Sequence, residues 1–175
     1  MTFSDRVIEY FKPGHKVLDL GAGNGWFARK AVERGAIVTA VDLKDAPQEL
    51  SGIRWIKQDV VSFVANWPTQ ESYDIIFSRN LIQFLSGEWV KKSFFPNVLE
   101  HLSKNGMLAL QTFFQDPEPS FERPLISRYA AEVLQENLSS LKIIHIRQFK
   151  ENALDMKGTP RTFYITNCIA QKSNN

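Results

Sequence analysis

Along the chain, short continuous apolar runs alternate with apolar stripes at helical spacing, a pattern that predicts strands and helices in turn. Val7, Ile8 and Phe11 give a short helix over residues 4–11 one apolar face, and Pro13-Gly14 ends it. Residues 17–20 form a first strand whose nearly unbroken apolar character suits a parallel sheet covered on both faces. Asn24 then caps a helix over 26–34, with Gly35 where a left-handed stop is wanted. Further strands are predicted at 36–41, 53–57, 73–78 and 107–113, with Ser62 capping a short helix that stops by Trp67-Pro68. A longer helix over 88–102 is closed by the turn Lys104-Asn105-Gly106. The segment 115–124, rich in Pro and acid, is expected to be a loop, 126–138 a helix, 142–149 a sixth strand and 161–170 a seventh. Residues 1–15 form the lead-in and 172–175 a frayed tail.

Five strands each followed by a helix imply right-handed crossovers and a mostly parallel sheet. Only the short loop 151–160 separates the last two strands, too little for a parallel crossover, so the final strand should run antiparallel. The expected architecture is α/β, a doubly wound and mostly parallel seven-stranded sheet with an antiparallel last strand and helices on both faces. A chain of 175 residues buries one good core and is short for two, so residues 1–175 are read as a single domain.

Candidate chemistry begins where the first strand breaks into Gly21-Ala22-Gly23-Asn24-Gly25, directly after Asp19. Glycine allows positive φ and lets a ligand lie on the backbone, while the amides opening the next helix stay free to donate. A dinucleotide fingerprint needs its third glycine one position later, where Trp26 stands instead of a small residue. The order Asp19, Gly21, Gly23, Gly25 resembles the first motif of the class I methyltransferases, which use S-adenosylmethionine. An antiparallel seventh strand beside the fifth is also that family's ending.

The resemblance implies a cofactor site at the carboxyl ends of the strands. Gly21, Ala22 and Gly23 would line it, with Asp19 either reaching the methionine end or holding the glycine loop through backbone amides. Asp42, closing the second strand, would accept from the ribose hydroxyls, its alternative being a strand-end turn acid. Leu43 would pack on the adenine face, and Asp59 and Val60 would meet the adenine edge, with helix capping as the other reading of Asp59. Trp26 either walls the methionine side or packs in the core. The run from Ser78 to Phe84 matches the floor of the transfer site, where Ser78 and Phe84 would adjoin the cofactor and Arg79, Asn80 and Gln83 would orient the acceptor. Arg128 and the two loops 115–124 and 151–160 flank the expected mouth.

Composition narrows the acceptor. A net charge of +2 with cations spread along the chain disfavours nucleic acid as substrate. No Asn-Pro-Pro-Tyr or Asp-Pro-Pro-Tyr follows the fourth strand, and the lone Cys168 gives no support for a covalent mechanism on cytosine carbon. The histidines His15, His101 and His145 fall outside the expected site, and no ligand spacing for a metal occurs. No apolar run is long enough to span a bilayer, no secretory signal is visible, and one cysteine suits a reducing cytoplasm. In its small size and short N-terminal helix the sequence resembles the minimal methyltransferases, including the tellurite-resistance type, and that resemblance implies conversion of S-adenosylmethionine to S-adenosylhomocysteine with a small-molecule acceptor, by a monomer or homodimer. A nucleic-acid or protein methyltransferase and a non-catalytic cofactor-binding partner protein are the rival readings.

Overall fold

Strands whose residues alternate between two apolar environments dictate a sheet with helices on both sides. In the computed structural model, which describes residues 2–48, 51–121 and 124–173, β4 (Tyr73–Arg79) shows the rule. Ile75 and Phe77 point into one cluster and Ile76 into the other. At the centre lies β1 (Lys16–Leu20), paired in parallel with β4 and with β2 (Ile37–Asp42). β3 (Ile53–Lys57) extends the sheet beside β2, and β5 (Leu102–Glu118) beside β4. β7 (Pro160–Lys172) inserts antiparallel between β5 and β6 (Leu141–Leu154), giving the order β3-β2-β1-β4-β5-β7-β6. The predicted fold class is the observed one.

One face is covered by α1 (Phe3–Ile8) and α2 (Trp26–Glu33), where the ring of Phe27 stacks on Phe77. α1 starts at a reciprocal cap, in which the Thr2 hydroxyl accepts from the Asp5 amide and the Asp5 carboxylate accepts from the Thr2 amide. The other face packs under α3 (Val60–Ala65), α5 (Phe95–His101) and α6 (Ala131–Asn137), through Val64, Val98 and Leu134.

Several local expectations are corrected. Asp59, not Ser62, caps α3, because its carboxylate accepts from the Ser62 amide at 3.1 Å. Asn24 accepts from the Trp26 amide, but Gly25 in left-handed conformation occupies the cap of α2. Among the described residues no helix joins β2 to β3. The helix expected over 88–102 is a short α4 (Gly87–Trp89), a π-helical turn over Val90–Phe94 and then α5; Pro96, which cannot donate to an α-helical ladder, sits just after the widened turn. The turn at 104–106 is a bulge inside β5 rather than a break before it.

β5 runs on to Glu118 through the segment expected to be a loop, with register shifts that accommodate Pro117. β6 and β7 likewise extend through most of 151–160, leaving a tight turn at 155–159. Only 131–137 of the helix expected at 126–138 is helical, since the amides of Ile126 and Ser127 both donate to the Gln83 carbonyl and hold the chain out of helical geometry. Residues 174–175 of the expected tail lie outside the described residues.

Candidate functional site

The carboxyl ends of β1 and β2 are tied together by the glycine loop. The amides of Gly21 and Ala22 donate to the Val41 carbonyl, and the Gly23 amide donates to Asp42 Oδ2 at 2.8 Å. Asp42 Oδ1 accepts from the Lys44 amide at 2.9 Å, so the half-buried carboxylate fixes both the loop and its own turn and keeps a lone pair on each oxygen. Gly21 and Gly23 both have positive φ, yet for different ends. A Cβ on Gly21 would come within 3.3 Å of Leu81, whereas one on Gly23 would meet nothing within 4 Å. Gly21 serves packing, whereas at Gly23 the loop backbone faces open space.

Asp19 stands on β1 just before the loop. It is 2% exposed, and its Oδ2 has no hydrogen-bond partner among the described residues. Burial pushes its carboxyl up to about 7, with the nearby Asp42 adding to the rise and Arg79 and the Ala28 amide opposing it. The loop amides of Gly21, Ala22 and Gly23 go to Val41 and Asp42, so Asp19 does not hold the glycine loop and spends a hydrogen bond on the Ala28 amide of α2 instead. Leu43 projects into solvent beside this opening, 66% exposed. Asp59 caps α3 and Val60 is buried behind it. Trp26 is 36% exposed, which takes it out of the core. Ser78 is buried at the end of β4, its hydroxyl without a partner among the described residues.

A second space of about 670 Å³ begins where Arg79 and Asn80 leave β4. Asn80 takes a left-handed conformation there, its amide donating to the Gln111 carbonyl at 2.8 Å, and Arg79 reaches back to Ser4 of α1. Gln83, expected beside them, is instead wholly enclosed and accepts from the Thr112 hydroxyl at 3.1 Å. Its side chain is therefore core, and the cavity lining does not include it. Phe84 does line the cavity, together with Phe113, Phe121 and Phe163, and the glycine-loop residues do not.

The far wall is the β6–β7 hairpin, which stands in place of the loop expected over 151–160. Asp155 organises its turn by accepting from the amides of Lys157 and Thr159 and from Arg161 Nε at 2.6 Å. Arg161 and those two amides hold the Asp155 carboxyl down at about 2. The same guanidinium donates to the carbonyls of Pro119 and Ser120, stitching the hairpin to the end of β5. The Asp-to-Arg spacing across 155–161 with Gly158 between was a visible signal for a hairpin turn. Arg128 pairs with Asp116 nearby but does not line the cavity. His101 is spent on the carbonyls of Asn97 and Pro68 and on the face of Trp67, and no metal-competent cluster occurs among the described residues.

The sequence profile of the family described as "Methyltransferase domain" matches residues 2–155. A ubiquinone biosynthesis O-methyltransferase of Saccharophagus degradans is 35% identical over 77 residues, covering 39% of this chain and 32% of that protein. Among solved structures, TehB from Haemophilus influenzae superposes with a TM-score of 0.80 at 23% identity, covering 97% of this chain and 61% of TehB. The 1,6-didemethyltoxoflavin-N1-methyltransferase of Burkholderia thailandensis, solved with its substrate and S-adenosylhomocysteine, gives 0.74 at 18% identity over 98% of this chain and 76% of that one. The matched stretch thus spans about a third of the curated relative and less than two thirds of TehB.

Proposed function

Because this chain belongs to the methyltransferase-domain family, we propose that it transfers the methyl group of S-adenosylmethionine to a small-molecule acceptor, releasing S-adenosylhomocysteine. The observation that carries this reading is the pairing of two distinct spaces at the same end of the sheet, the open cradle at Gly23 and the cavity beyond Asn80. Ligands on doubly wound sheets lie at that end.

The residues fit the cofactor. Asp42 has acceptor capacity left for ribose hydroxyls, and Leu43 offers an exposed apolar surface to a base. Asp59 and Val60 stand at the end of β3, where the adenine edge would fall. The unpartnered oxygen of Asp19 suits an ammonium group, which would relieve the strain of keeping that carboxylate charged in the interior. The cofactor supplies an activated methyl on a cationic sulfur. The chain's own contribution is to hold two reactants in line at the Ser78–Asn80 corner, a positioning effect worth up to roughly 7–11 kcal/mol in favourable cases. No histidine stands there among the described residues to take a proton. We read residues 1–175 as one catalytic domain, and no helix among the described residues is long and apolar enough to cross a membrane.

S-adenosylhomocysteine is expected to raise the melting temperature, by the equivalent of about 2.7 kcal/mol at a free concentration of about a hundred times its Kd. NADH should leave the melt unchanged, and a shift by NADH alone would defeat the assignment. Asp42→Ala is expected to do two things at once. Loss of ribose contacts should weaken binding per folded molecule about ten- to a hundredfold or more. Loss of an acceptor for the amides of Gly23 and Lys44 should cost about 1–3 kcal/mol of stability. Calorimetric titration beside a thermal melt separates the two, and a variant that loses stability but binds within about twofold of the parent removes Asp42 from the cofactor site.

A further inference from the structure

The cavity beyond Asn80 is aromatic in a way the cradle is not. Ring centroids lie 6.4 Å apart for Phe84 and Phe121, 6.0 Å for Phe113 and Phe121, 5.7 Å for Phe113 and Phe163, and 5.8 Å for Phe121 and Phe163. The rings come from the turn after β4, from β5, from the segment after β5 and from β7, so four separate stretches of chain converge on one apolar chamber. Rings set in this way favour a ligand whose faces are flat, because aromatic pairs gain from offset and edge contacts beyond the area they bury.

Two of the chamber's charged side chains are matched to each other. Arg161 and Asp155, with side chains only 9% and 8% exposed, pair with each other, and the guanidinium also sits 5.2 Å from the centre of the Phe121 ring. Arg161 is thus committed, and the other charged lining residues, Arg79, Lys157 and Glu151, are of mixed sign, so the chamber presents no single-sign surface to a charged ligand. The polar rim is of another kind. Gln111 Nε2 donates to Asn167 Oδ1 at 2.9 Å, which leaves Gln111 Oε1 as an acceptor. The side-chain amide of Asn80 makes no hydrogen bond among the described residues, while its backbone is fixed against Gln111 at 2.8 Å. One acceptor and one donor thus stand side by side at the edge of an aromatic slot.

Resting on the methyl-transfer reading above, we propose that the acceptor is a flat, uncharged heteroaromatic molecule of one or two fused rings. Its faces lie against Phe113, Phe121 and Phe163, and an amide-like edge, carrying one donor and one acceptor, meets Gln111 and Asn80. A space of about 670 Å³ is of the size that encloses such molecules.

The test is calorimetric titration of the full chain, saturated with S-adenosylhomocysteine, with three probes: 2-quinolinone, its ring-saturated counterpart octahydro-2-quinolinone, and quinoline-2-carboxylate. The flat lactam is expected to bind at least about tenfold tighter than either of the others. Phe121→Leu keeps the apolar volume and removes the ring, and it should weaken 2-quinolinone about three- to tenfold with S-adenosylhomocysteine affinity unchanged. Equal or tighter binding of the saturated lactam or the carboxylate, no binding of 2-quinolinone, or no effect of Phe121→Leu would each overturn this inference alone. Failure of S-adenosylhomocysteine itself to bind would overturn the methyl-transfer reading and the acceptor assignment with it.

Discussion

Gly23→Val is expected to weaken S-adenosylhomocysteine binding by more than about a hundredfold, roughly 2.7 kcal/mol or more, in a protein that still folds. The protein itself has room for the new side chain, since a Cβ at this position meets nothing within 4 Å. That room is what a ligand lying on the loop would use. The stability cost comes from the backbone, because a β-branched residue at φ near 60° is strained by about 1–3 kcal/mol. Gly14 supplies the control. It has the same open surroundings and a positive φ of 82°, but it precedes β1 at the opposite end of the sheet. Gly14→Val should therefore lose comparable stability and no cofactor affinity. Equal affinities in the two variants, measured by titration calorimetry, would show that the glycine loop does not hold the cofactor.

Asp19→Asn should make the protein more stable and a poorer binder. Burial pushes the folded carboxyl up from its ordinary 3.8 to about 7. Between those pH values the native state holds a proton that the unfolded chain has released. Stability therefore falls as pH rises through that window and stays low above it, by at most about 4 kcal/mol. An asparagine carries no such charge, so the variant should melt several degrees above the parent at about pH 8 and level with it below about pH 4. Binding should weaken about ten- to a hundredfold through loss of a charge-assisted contact to the ammonium. The parent should also release protons on binding S-adenosylhomocysteine at about pH 6.5, as the ligand's ammonium draws Asp19 into its charged form. Titrations in two buffers of different ionisation enthalpy measure that release. A variant that melts below the parent at about pH 8 would mean that Asp19 is a structural acid, and the site would lose its ammonium partner.

The cradle was legible because its signals are local. Asp19, the three glycines and Asp42 fall within one strand-loop-helix-strand unit, and each residue type has a narrow conformational or chemical reason to be there. The last strand's direction was legible too, since chain length alone forbade a parallel crossover. Hidden features were those decided by contacts between distant segments. Pro117 and the acids around it read as a loop, yet two register shifts let β5 continue past them against β7. Ile126 and Ser127 have helical periodicity, and the Gln83 carbonyl takes both their amides. Asp59 and Ser62 are both good capping residues three positions apart, and it is Asp59, in extended conformation, that takes the cap by accepting from the Ser62 amide. The family resemblance of the run from Ser78 to Phe84 puts Gln83 at the site, but the 3₁₀ turn after Asn80 rotates it inward onto Thr112 and leaves Phe84 facing the cavity. The aromatic chamber had no sequence signature at all, because Phe84, Phe113, Phe121 and Phe163 share no period.

The Asp155–Arg161 clasp gives the chain an unusual modularity. The glycine loop and the acid that fixes it are complete by Lys44, whereas the chamber's outer wall is a hairpin between Glu151 and Phe163 that is closed by its own ion pair and anchored through Arg161 to the carbonyls of Pro119 and Ser120. A hairpin of different length or lining, grafted between the same two anchor strands and keeping that clasp, is expected to redraw what the chamber admits while leaving the glycine loop and Asp42 in place. Substrate preference in such a scaffold is an exchangeable part.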